Sequence, residues 1–565
     1  MTDFDYIIVG GGAAGCVLAN RLSADPSLKV ALIELGRDRN ARKAIVRMPL
    51  GMVAFMMPAI KFLGGQKFMS WFESEPEPGL QGRRIALPRG KGVGGSTTVN
   101  GMIYIRGQRE DYDRWRDLGN QGWGYDDLLP YFRKLESFEL LADPKSGRHL
   151  KLGGKPLVTQ VNPAFHGTSG PVSIGQLRSV NPMCDVFIEA AQAEGISLNA
   201  DFNGPTQAGV GYYTYTQKGG ERVSAEAAYL DPARARPNLT VLSERRVTRI
   251  LMEGKRAVGV AWRSATETGE IWGREVILSA GSFISPQLLM LSGIGPAQEL
   301  ARHGIPIVEA LPGVGANLQD HIDVALEYKA KTAVPYGVSW KALPRNILHV
   351  FDWLVRKRGL FSSTTGEGGA FISTRPGDDR PDIQLFFCTS VGNAQNAGSL
   401  FGHGFLMHVC ELRPGSIGRL ALKSADPLDP PSILYNFFRG ESTMRALREG
   451  MKLARRIIGQ KAFAPHLDHE VTPGRDADSD GALDAYIRQY CGTLYHPVGT
   501  CSMGKGPDAV VDPATMRVHG VDGLRVIDAS VMPTIVSGNT MAATYCIAEK
   551  GADLILKEAG FRQFA

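Results

Sequence analysis

A histidine and an asparagine near the end of the chain have side chains suited to the oxidation of an alcohol. His496 lies in a Tyr-His-Pro-Val-Gly-Thr segment, and Asn539 lies in a Ser-Gly-Asn-Thr segment. A neutral imidazole, whose ordinary pKa is near ~6.5, can accept the hydroxyl proton near neutral pH. An amide N–H can donate to the alcohol oxygen and stabilise alkoxide character while a hydride leaves. We therefore predict that folding brings the two residues together as catalytic groups; the alternative for His496 alone is a structural histidine.

A glycine-rich turn at the start of the chain predicts a dinucleotide site. Residues 7–9 form a short apolar run typical of a buried parallel strand. Gly10, Gly12 and Gly15 then supply the tight turn, the close approach of backbone to a pyrophosphate, and the close packing of helix on strand. The helix predicted over residues 13–22 directs its positive N-terminal end toward the phosphates.

An acidic residue strengthens this interpretation. A second apolar run, residues 30–33, ends in Glu34, at the distance where a carboxylate accepts hydrogen bonds from ribose hydroxyls. A glycine pattern alone is weak, because ordinary glycine turns are common. Its position between a strand and a helix, followed by this acid, makes the dinucleotide prediction strong.

The remaining chain predicts one sheet built from distant segments and a second domain. Residues 274–282 and 523–530 have the pattern of buried strands that end in small residues. We expect their ends to lie beside the end of the first strand, at one edge of a nucleotide-binding sheet, with a helix over residues 285–292. Alternating runs such as 419–423 and helical patterns such as 444–458 indicate an α+β domain inserted into the first.

Composition is that of a large soluble enzyme. With 565 residues the chain exceeds the size at which one core usually suffices, so two domains are expected. The net charge of +6 is small for this length, and no basic stripe is interleaved with aromatics, which excludes nucleic acid as a partner. The seven cysteines are scattered without disulfide or metal-ligand spacing, which indicates a reducing compartment and no metal site. The start lacks a basic n-region, so no signal peptide is predicted and a cytoplasmic location is expected.

One apolar stretch resembles a membrane segment. Residues 48–60 are mostly apolar, but the stretch is shorter than the ~20 residues that span a bilayer and is interrupted by Pro58. We predict a loop or short helix over a cofactor or substrate channel. A peripheral membrane contact is the alternative.

Several segments, in order, resemble the glucose–methanol–choline (GMC) oxidoreductases. They are residues 88–107, 281–295 and 317–321, with the two C-terminal segments that hold His496 and Asn539. The resemblance covers residues 5–556 and is greatest to bacterial FAD-dependent alcohol, polyethylene glycol and choline dehydrogenases. It implies a Rossmann-like α/β FAD-binding domain with an inserted α+β substrate domain built on an antiparallel sheet. The expected boundaries are 1–160, 220–315 and 495–565 for the FAD-binding domain, and 161–219 and 316–494 for the substrate domain.

The resemblance also assigns cofactor residues. The expected FAD contacts are Gly10, Gly12, Ala13, Ala14, Gly15, Glu34, Arg89, Gly94, Gly95, Ser96, Asn100, Gly101, Met102, Ile103, Val247, Ala280, Gly281, Asp528, Ala529, Asn539 and Thr540. Val247 matches a position whose backbone meets the adenine, although a core valine is an equal alternative. Some relatives tether FAD through a histidine directly before the asparagine equivalent to Asn100. Val99 occupies that place here, so the resemblance implies non-covalent FAD.

Two residues are candidates for the substrate pocket. Glu367 falls where the family often has an acid near the substrate, which can face a quaternary ammonium in enzymes that act on choline. A structural hydrogen-bond acceptor is its alternative role. Tyr495, next to the candidate base, either lines the pocket or packs in the core.

The resemblance implies oxidation of a primary alcohol, whether aliphatic, polyether or aromatic, to the aldehyde. His496 acts as general base, the hydride passes to flavin N5, and a quinone or another carrier accepts the electrons. An oxidase that uses O2 on aromatic or furanic alcohols is the first alternative. A lyase or photodecarboxylase of the same fold is the second alternative. The photodecarboxylase has no histidine at the position equivalent to His496, and its characteristic cysteine would align near Leu412, so both features argue against that enzyme. The expected location is cytoplasmic, with association with the inner face of the cytoplasmic membrane as a further option.

Overall fold

A seven-stranded sheet brings the two ends of the chain together. The computed structural model describes residues 3–56, 67–139, 151–152, 155–156, 162–340, 342–391 and 402–560. The first strand, Phe4–Val9, lies parallel between Val30–Ile33 and Thr268–Leu278, and Leu524–Val526 pairs in parallel with Thr268–Leu278 on its other side. The remaining strands are Leu239–Leu242, Arg246–Glu253 and Arg256–Arg263. The ends of three distant strands therefore meet at one edge, as the sequence predicts.

Apolar strands and a tightly packed helix explain this sheet. Ile7, Ile8 and Val30 have almost no exposed surface, as in parallel strands covered on both faces. The first helix, Ala13–Leu22, packs against the C-terminal helix, Met541–Glu558, where Arg21 and Glu549 form an ion pair of 2.7 Å. The predicted bounds of the first helix, residues 13–22, are confirmed.

A second sheet is antiparallel and has eight strands. Its strands are Gly209–Tyr212, Ile322–Ala330, Gly337–Val338, Gly366–Ile372, Ile383–Cys388, Gly402–Glu411, Leu467–Thr472 and Gly492–Thr493. Every pairing among them is antiparallel. The first sheet is mixed, because Arg246–Glu253, Arg256–Arg263 and Thr268–Leu278 pair antiparallel while its other pairings are parallel. This Rossmann-like sheet joined to an antiparallel sheet confirms the predicted fold class. The residue boundaries proposed for the two domains remain a prediction.

The remaining strands form smaller sheets and pairs. A smaller four-stranded sheet comprises Glu136–Glu139, Val172–Gly175, Tyr215–Lys218 and Glu221–Arg222. Two-stranded pairs are Met69–Glu73 with Ala86–Gly90, Lys151–Leu152 with Lys155–Pro156, Ile294–Gly295 with Glu309–Ala310, and Arg419–Ala421 with Ser432–Leu434. The other α-helices are Ala44–Arg47, Gly51–Met56, Arg109–Asp117, Tyr125–Leu135, Met183–Ala193, Asp231–Ala233, Gly281–Leu291, Ala297–Arg302, Leu343–Arg356, Glu441–Ile458 and Asp480–Tyr490.

Two predicted helices begin earlier than the sequence pattern indicates. The helix predicted over 285–292 begins at Gly281, because the amide of Gly281 donates to the Asp528 carboxylate and is satisfied there. The helix predicted from residue 444 begins at Glu441, whose side chain adds an acid to the first turn.

Part of the apolar stretch at 48–60 forms a short helix, Gly51–Met56. Met52 lies against the glycine-rich stretch, because a Cβ added to Gly101 would meet the Met52 sulfur at 3.6 Å. Residues 57–60 lie outside the described part of the chain. Within the described ranges, none of the helices has both the length and the apolar character needed to cross a bilayer.

Candidate active site

The glycine turn after the first strand leaves an open face at the helix N-terminus. A Cβ added to Gly15 would lie 1.9 Å from the Gly10 carbonyl oxygen, and one added to Gly10 would lie 2.6 Å from the Ser279 carbonyl oxygen. Both glycines are therefore required for close packing. A Cβ added to Gly12 would have no atom within 4 Å. This open backbone, directly before the helix that starts with Ala13 and Ala14, fits a pyrophosphate.

Glu34 lies at the end of the second strand, beside that turn. Its carboxylate accepts hydrogen bonds from the amides of Gly11 at 2.8 Å, Gly36 at 2.8 Å and Gly92 at 3.1 Å. The Glu34 carboxylate thus connects three loops, and from this position it would accept hydrogen bonds from the ribose hydroxyls of a bound dinucleotide. Val247 is buried in the strand Arg246–Glu253, two residues after Arg245, whose amide donates to the Glu34 carbonyl.

The glycine-rich stretch 88–107 lies over the turn. The Gly94 amide donates to the Gly11 carbonyl at 2.7 Å, and a Cβ added to Gly95 would lie 2.7 Å from Gly12 Cα. Ser96 Oγ accepts from the amide of Gly90. The stretch therefore borders the open face, as expected for a segment that touches the cofactor.

Asn100 organises the second half of this stretch. Its Oδ1 accepts from the amide of Met102, which has a positive φ of 61°, and its Nδ2 lies 3.1 Å from the Met541 sulfur. Gly101 lies between Asn100 and Met102 in the chain, and Ile103 forms an isolated β-bridge with Tyr215.

Arg222 is a buried cation at this stretch that the sequence interpretation missed. Its Nη1 donates to the side chain of Asn100 at 2.7 Å and to the Asn100 carbonyl at 2.7 Å. Its Nη2 has no hydrogen-bond partner among the described residues, and burial lowers its pKa to about 9. A buried guanidinium with an unused donor fits an anionic or carbonyl group of a cofactor. A lone arginine in a two-residue strand carries no sequence signal for this role.

The other expected cofactor residues border the sheet edge or the C-terminal helix. Ala280 and Gly281 follow the strand Thr268–Leu278, and a Cβ added to Gly10 would lie 2.8 Å from Ala280 Cα. The Asp528 carboxylate accepts from the amides of Gly281 and Ser530, both at 2.8 Å, and thereby joins two strand ends. Ala529 begins the short turn after Asp528, and Thr540 precedes the helix Met541–Glu558.

The structure brings the two predicted catalytic residues together. Asn539 Nδ2 lies 3.3 Å from His496 Nε2, and His496 Nδ1 lies 2.9 Å from His321 Nδ1. His321 Nε2 lies 3.1 Å from the Leu412 carbonyl oxygen, which can only accept, so Nε2 carries the proton. Burial lowers the pKa of His321 to about 4, so its Nδ1 is an unprotonated acceptor.

These contacts fix the tautomer of His496. Because Nδ1 of His321 accepts, Nδ1 of His496 must donate, and the lone pair of His496 is left on Nε2. Burial, together with His321 and Arg89, lowers the pKa of His496 well below its ordinary value. The imidazole is therefore neutral at physiological pH and presents a proton acceptor beside an amide donor.

Backbone contacts hold the loop that carries this base. The amide of His496 donates to Asp320 at 2.8 Å, and Arg89 Nη1 donates to the Tyr495 carbonyl at 2.6 Å. Tyr495 has a positive φ of 63°, a strained conformation that these flanking bonds maintain. Tyr435 donates its hydroxyl to Asp320, and burial raises the pKa of Asp320 to about 7. Arg89, which is predicted to contact the cofactor, therefore contacts the loop that holds His496.

Asp320 and His321 belong to the conspicuous segment 317–321, but sequence alone assigns neither a role. Only the fold brings His321 to His496.

Glu367 is almost fully buried, at 1% exposure, in the antiparallel sheet. Its carboxylate accepts from the Asn181 amide at 2.6 Å and from the hydroxyl of Ser363, and the Cys184 thiol lies 3.5 Å away. Burial raises its pKa to about 7. No described contact joins Glu367 to His496 or Asn539.

Comparison with known proteins identifies the family of this arrangement. Family models described as GMC oxidoreductase match residues 4–323 and 414–548. The chain belongs to the GMC oxidoreductase family. It is 40% identical to an alcohol dehydrogenase [acceptor] of Pseudomonas putida, over 98% of this chain and 96% of that protein. It is 41% identical to an oxygen-dependent choline dehydrogenase of Yersinia pseudotuberculosis, over 98% of this chain and 94% of that one.

A similar solved structure supports the cofactor. The FAD-dependent oxidoreductase from Chaetomium thermophilum is 26% identical with a TM-score of 0.86, over 99% of this chain and all of that one. The open face at Gly12 and the unused donor of Arg222 fit FAD. The family and this neighbour both support FAD as the cofactor.

Proposed function

We propose that the protein is an FAD-dependent alcohol dehydrogenase that oxidises a primary alcohol to the aldehyde. The observation that carries the proposal is the pair of Asn539 Nδ2 and His496 Nε2, 3.3 Å apart, with the His496 lone pair directed to Nε2 by His321. The identity to an alcohol dehydrogenase [acceptor] supports the same reaction class.

The chain's own residues activate and orient the alcohol. The hydroxyl donates to His496 Nε2, which takes the proton, while Asn539 Nδ2 donates to the alcohol oxygen and stabilises its growing negative charge. Bound FAD would supply the hydride acceptor for the alcohol carbon, at flavin N5. Gly10, Gly12 and Glu34 would hold its adenosine diphosphate half, and Asn100 with Arg222 would hold its flavin side. We propose non-covalent attachment, because Val99 stands where a tethering histidine would be.

An uncharged substrate fits the surroundings best. Glu367 has its carboxylate engaged by Asn181 and Ser363, so it favours the role of a structural acceptor over that of a counter-ion for a quaternary ammonium. Met102 of the cofactor stretch and Leu412, next to His321, belong to one buried apolar cluster with Phe386. An aliphatic, polyether or aromatic alcohol suits this apolar wall. Tyr495 is proposed to border the same pocket.

A quinone or another carrier is proposed as the electron acceptor. The use of O2 is the second candidate, supported by the similarity to an oxygen-dependent choline dehydrogenase. We propose a cytoplasmic protein with a peripheral contact at the inner face of the membrane. A lyase reaction is the least favoured, because the acid–base pair suited to alcohol oxidation is assembled.

Anaerobic titration of the yellow holoenzyme tests the proposal. Octanol, benzyl alcohol, choline and a short polyethylene glycol are added in the dark, and air is then admitted. We expect at least one uncharged alcohol to bleach the flavin band of the wild type and of His469→Gln, a variant at an exposed histidine, but not of His496→Gln. Slow return of colour in air indicates a dehydrogenase and rapid return an oxidase. Bleaching of His496→Gln at the wild-type rate would refute the assigned base.

A further inference from the structure

One amphipathic helix has its apolar side facing solvent. We call Leu343–Arg356 the outer helix. Leu348 and Phe351 are each 66% exposed, Val355 is 64% exposed, and Ile347 and Leu354 are each 59% exposed. A helix on a soluble protein normally buries this face against the core. Here the face forms a contiguous apolar patch, which marks an interaction site.

Polar contacts hold the outer helix in this orientation. Asn346 Nδ2 donates to the Gly337 carbonyl at 3.0 Å, and Arg345 donates to the carbonyl of Ala333. The ring of His349 packs edge-on against Tyr336, with ring centroids 6.2 Å apart. The polar side of the helix thus contacts the rest of the protein, and these contacts orient the apolar side toward solvent.

Aromatic and basic residues border the apolar patch. Trp340, just before the helix, is 90% exposed, and the Arg356 side chain at its last turn is 74% exposed. Residues 338–358 contain five lysines and arginines and one acidic residue. Arg345 contacts the protein body and Lys357 pairs with Glu221, whereas Arg356 stays exposed although it lies 3.5 Å from Asp352. An apolar face bordered by tryptophan and basic residues is the composition of helices that lie in a membrane interface. Positive charge complements anionic headgroups, whereas two copies of the patch would repel each other in a symmetric contact.

The outer helix lies beside the segment that borders the glycine-rich stretch 88–107. Lys357 Nζ and Arg47 Nη1 contact the same carboxylate, Glu221, at 3.3 and 3.5 Å. Arg47 ends the short helix Ala44–Arg47, which precedes the helix Gly51–Met56. Met52, in the second of these helices, lies against Gly101. The part of the protein that contacts the end of the outer helix is therefore also close to the glycine-rich stretch 88–107.

We propose that the outer helix docks the protein on an anionic lipid membrane, with its apolar patch within the headgroup and upper acyl region. The helix lies in the interface and does not span it, consistent with its 14 residues. Docking there brings the proposed active site to lipid-soluble alcohols and quinones, a consequence that rests on the proposed function.

Vesicle binding by the holoenzyme tests the docking surface. The patch variant combines Leu348→Gln, Phe351→Gln and Leu354→Gln. The control variant combines Ile307→Gln, Ile417→Gln and Val471→Gln, which replace apolar residues of 51%, 53% and 44% exposure elsewhere. We expect wild type and control to co-sediment with vesicles of phosphatidylcholine and phosphatidylglycerol. The patch variant should partition about tenfold more weakly or worse.

Two further readouts identify the contact. Lipids brominated in the acyl chain should quench wild-type fluorescence, and Trp340→Phe should remove most of that quenching. Binding should weaken at high salt and on pure phosphatidylcholine, because the headgroup attraction is electrostatic. Equal binding of the patch variant and wild type, or no wild-type binding to either vesicle, would overturn the proposal. A wild-type dimer that the patch variant dissociates, without vesicle binding, would assign the patch to a second copy instead.

Activity with a water-soluble dye separates this proposal from the proposed function. We expect wild type and patch variant to oxidise alcohol with the dye at equal rates, because no described contact joins the exposed patch residues to His496 or Asn539. Loss of vesicle binding with retained dye activity supports the docking surface. Vesicle binding without any alcohol oxidation would leave the docking surface standing and refute the proposed function.

Discussion

Replacing His321 tests whether a neighbouring histidine fixes the tautomer of the catalytic base. His321→Leu removes the acceptor that lies 2.9 Å from His496 Nδ1 while leaving apolar bulk in the buried site. His321→Gln is the matched control, because its amide N–H can donate to the Leu412 carbonyl and its oxygen can accept from His496. Neither variant touches the alcohol directly, so His321 is treated as a positioning residue.

The magnitude follows from the hydrogen bond that is lost. In His321→Leu, His496 either keeps an unpaired buried N–H or moves its proton to Nε2, where it can no longer accept from the alcohol. Leaving a buried donor unsatisfied costs about 1–3 kcal/mol. At about 1.4 kcal/mol for each tenfold in rate, this predicts a fall of roughly 5- to 150-fold in kcat/KM.

The assay is steady-state oxidation of the best alcohol with a soluble acceptor, using holoenzymes whose flavin content is matched by absorbance. We expect His321→Gln to recover most of the activity that His321→Leu loses. Full activity of the leucine variant would refute the tautomer argument. An equal loss in both variants would assign His321 to packing alone.

Three further outcomes are expected. Asn539→Ala should lower kcat about 100-fold with flavin still bound, because it removes the donor to the developing alkoxide; a change below about threefold in stopped-flow flavin reduction contradicts that role. The pH profile of kcat/KM should stay level from about pH 8 down to 6.5, because the lowered pKa of His496 keeps the base neutral there; an acid limb centred at or above 6.5 argues against it. His166→Gln should destabilise the protein by about 3 kcal/mol in urea unfolding, while the exposed His469→Gln changes stability by less than about 0.5 kcal/mol. The reason is that buried His166 bonds both Glu136 at 3.0 Å and Asp201 at 2.8 Å. Burial opposes the charge of His166, but these two bonds raise its pKa above the ordinary value. The contribution of His166 to stability is therefore full below the pKa of His166 in the unfolded chain, and it is lost as the pH rises through the pKa in the folded protein.

The parts of the site that sequence predicts are those in which local pattern and chemistry coincide. The first helix starts directly after Gly12, so its beginning at Ala13 follows from the residue types of the turn, and its predicted end at Leu22 agrees with the structure. The strand ends at 274–282 and 523–530 are found because buried parallel strands are mostly apolar, and two charged residues in these strands, Glu275 and Arg525, pair with each other. The start of the helix at Gly281 is missed because its first amide is satisfied by Asp528, a partner remote in sequence.

The roles of His321 and Arg222 also depend on partners that are remote in sequence. His321 becomes significant only when the antiparallel sheet places Leu412 on one side of its ring and the His496 loop on the other. Arg222 is one arginine among many until burial and its two bonds to Asn100 distinguish it. No spacing rule can find either residue, since the information is in the tertiary contacts.

The division of work that we propose between His496 and Asn539 follows from the same contacts. Burial, His321 and Arg89 make His496 a weaker base than a free imidazole, so it is unprotonated at physiological pH but attracts the alcohol proton less strongly. Stabilisation must then come from the oxygen side, where Asn539 Nδ2 donates to the atom that becomes negative. The Asn539 Oδ1 has no partner among the described residues, so within them the amide is held from one side and can turn toward a bound oxygen. A weak base is therefore sufficient here because the asparagine stabilises the alkoxide that the base helps to form.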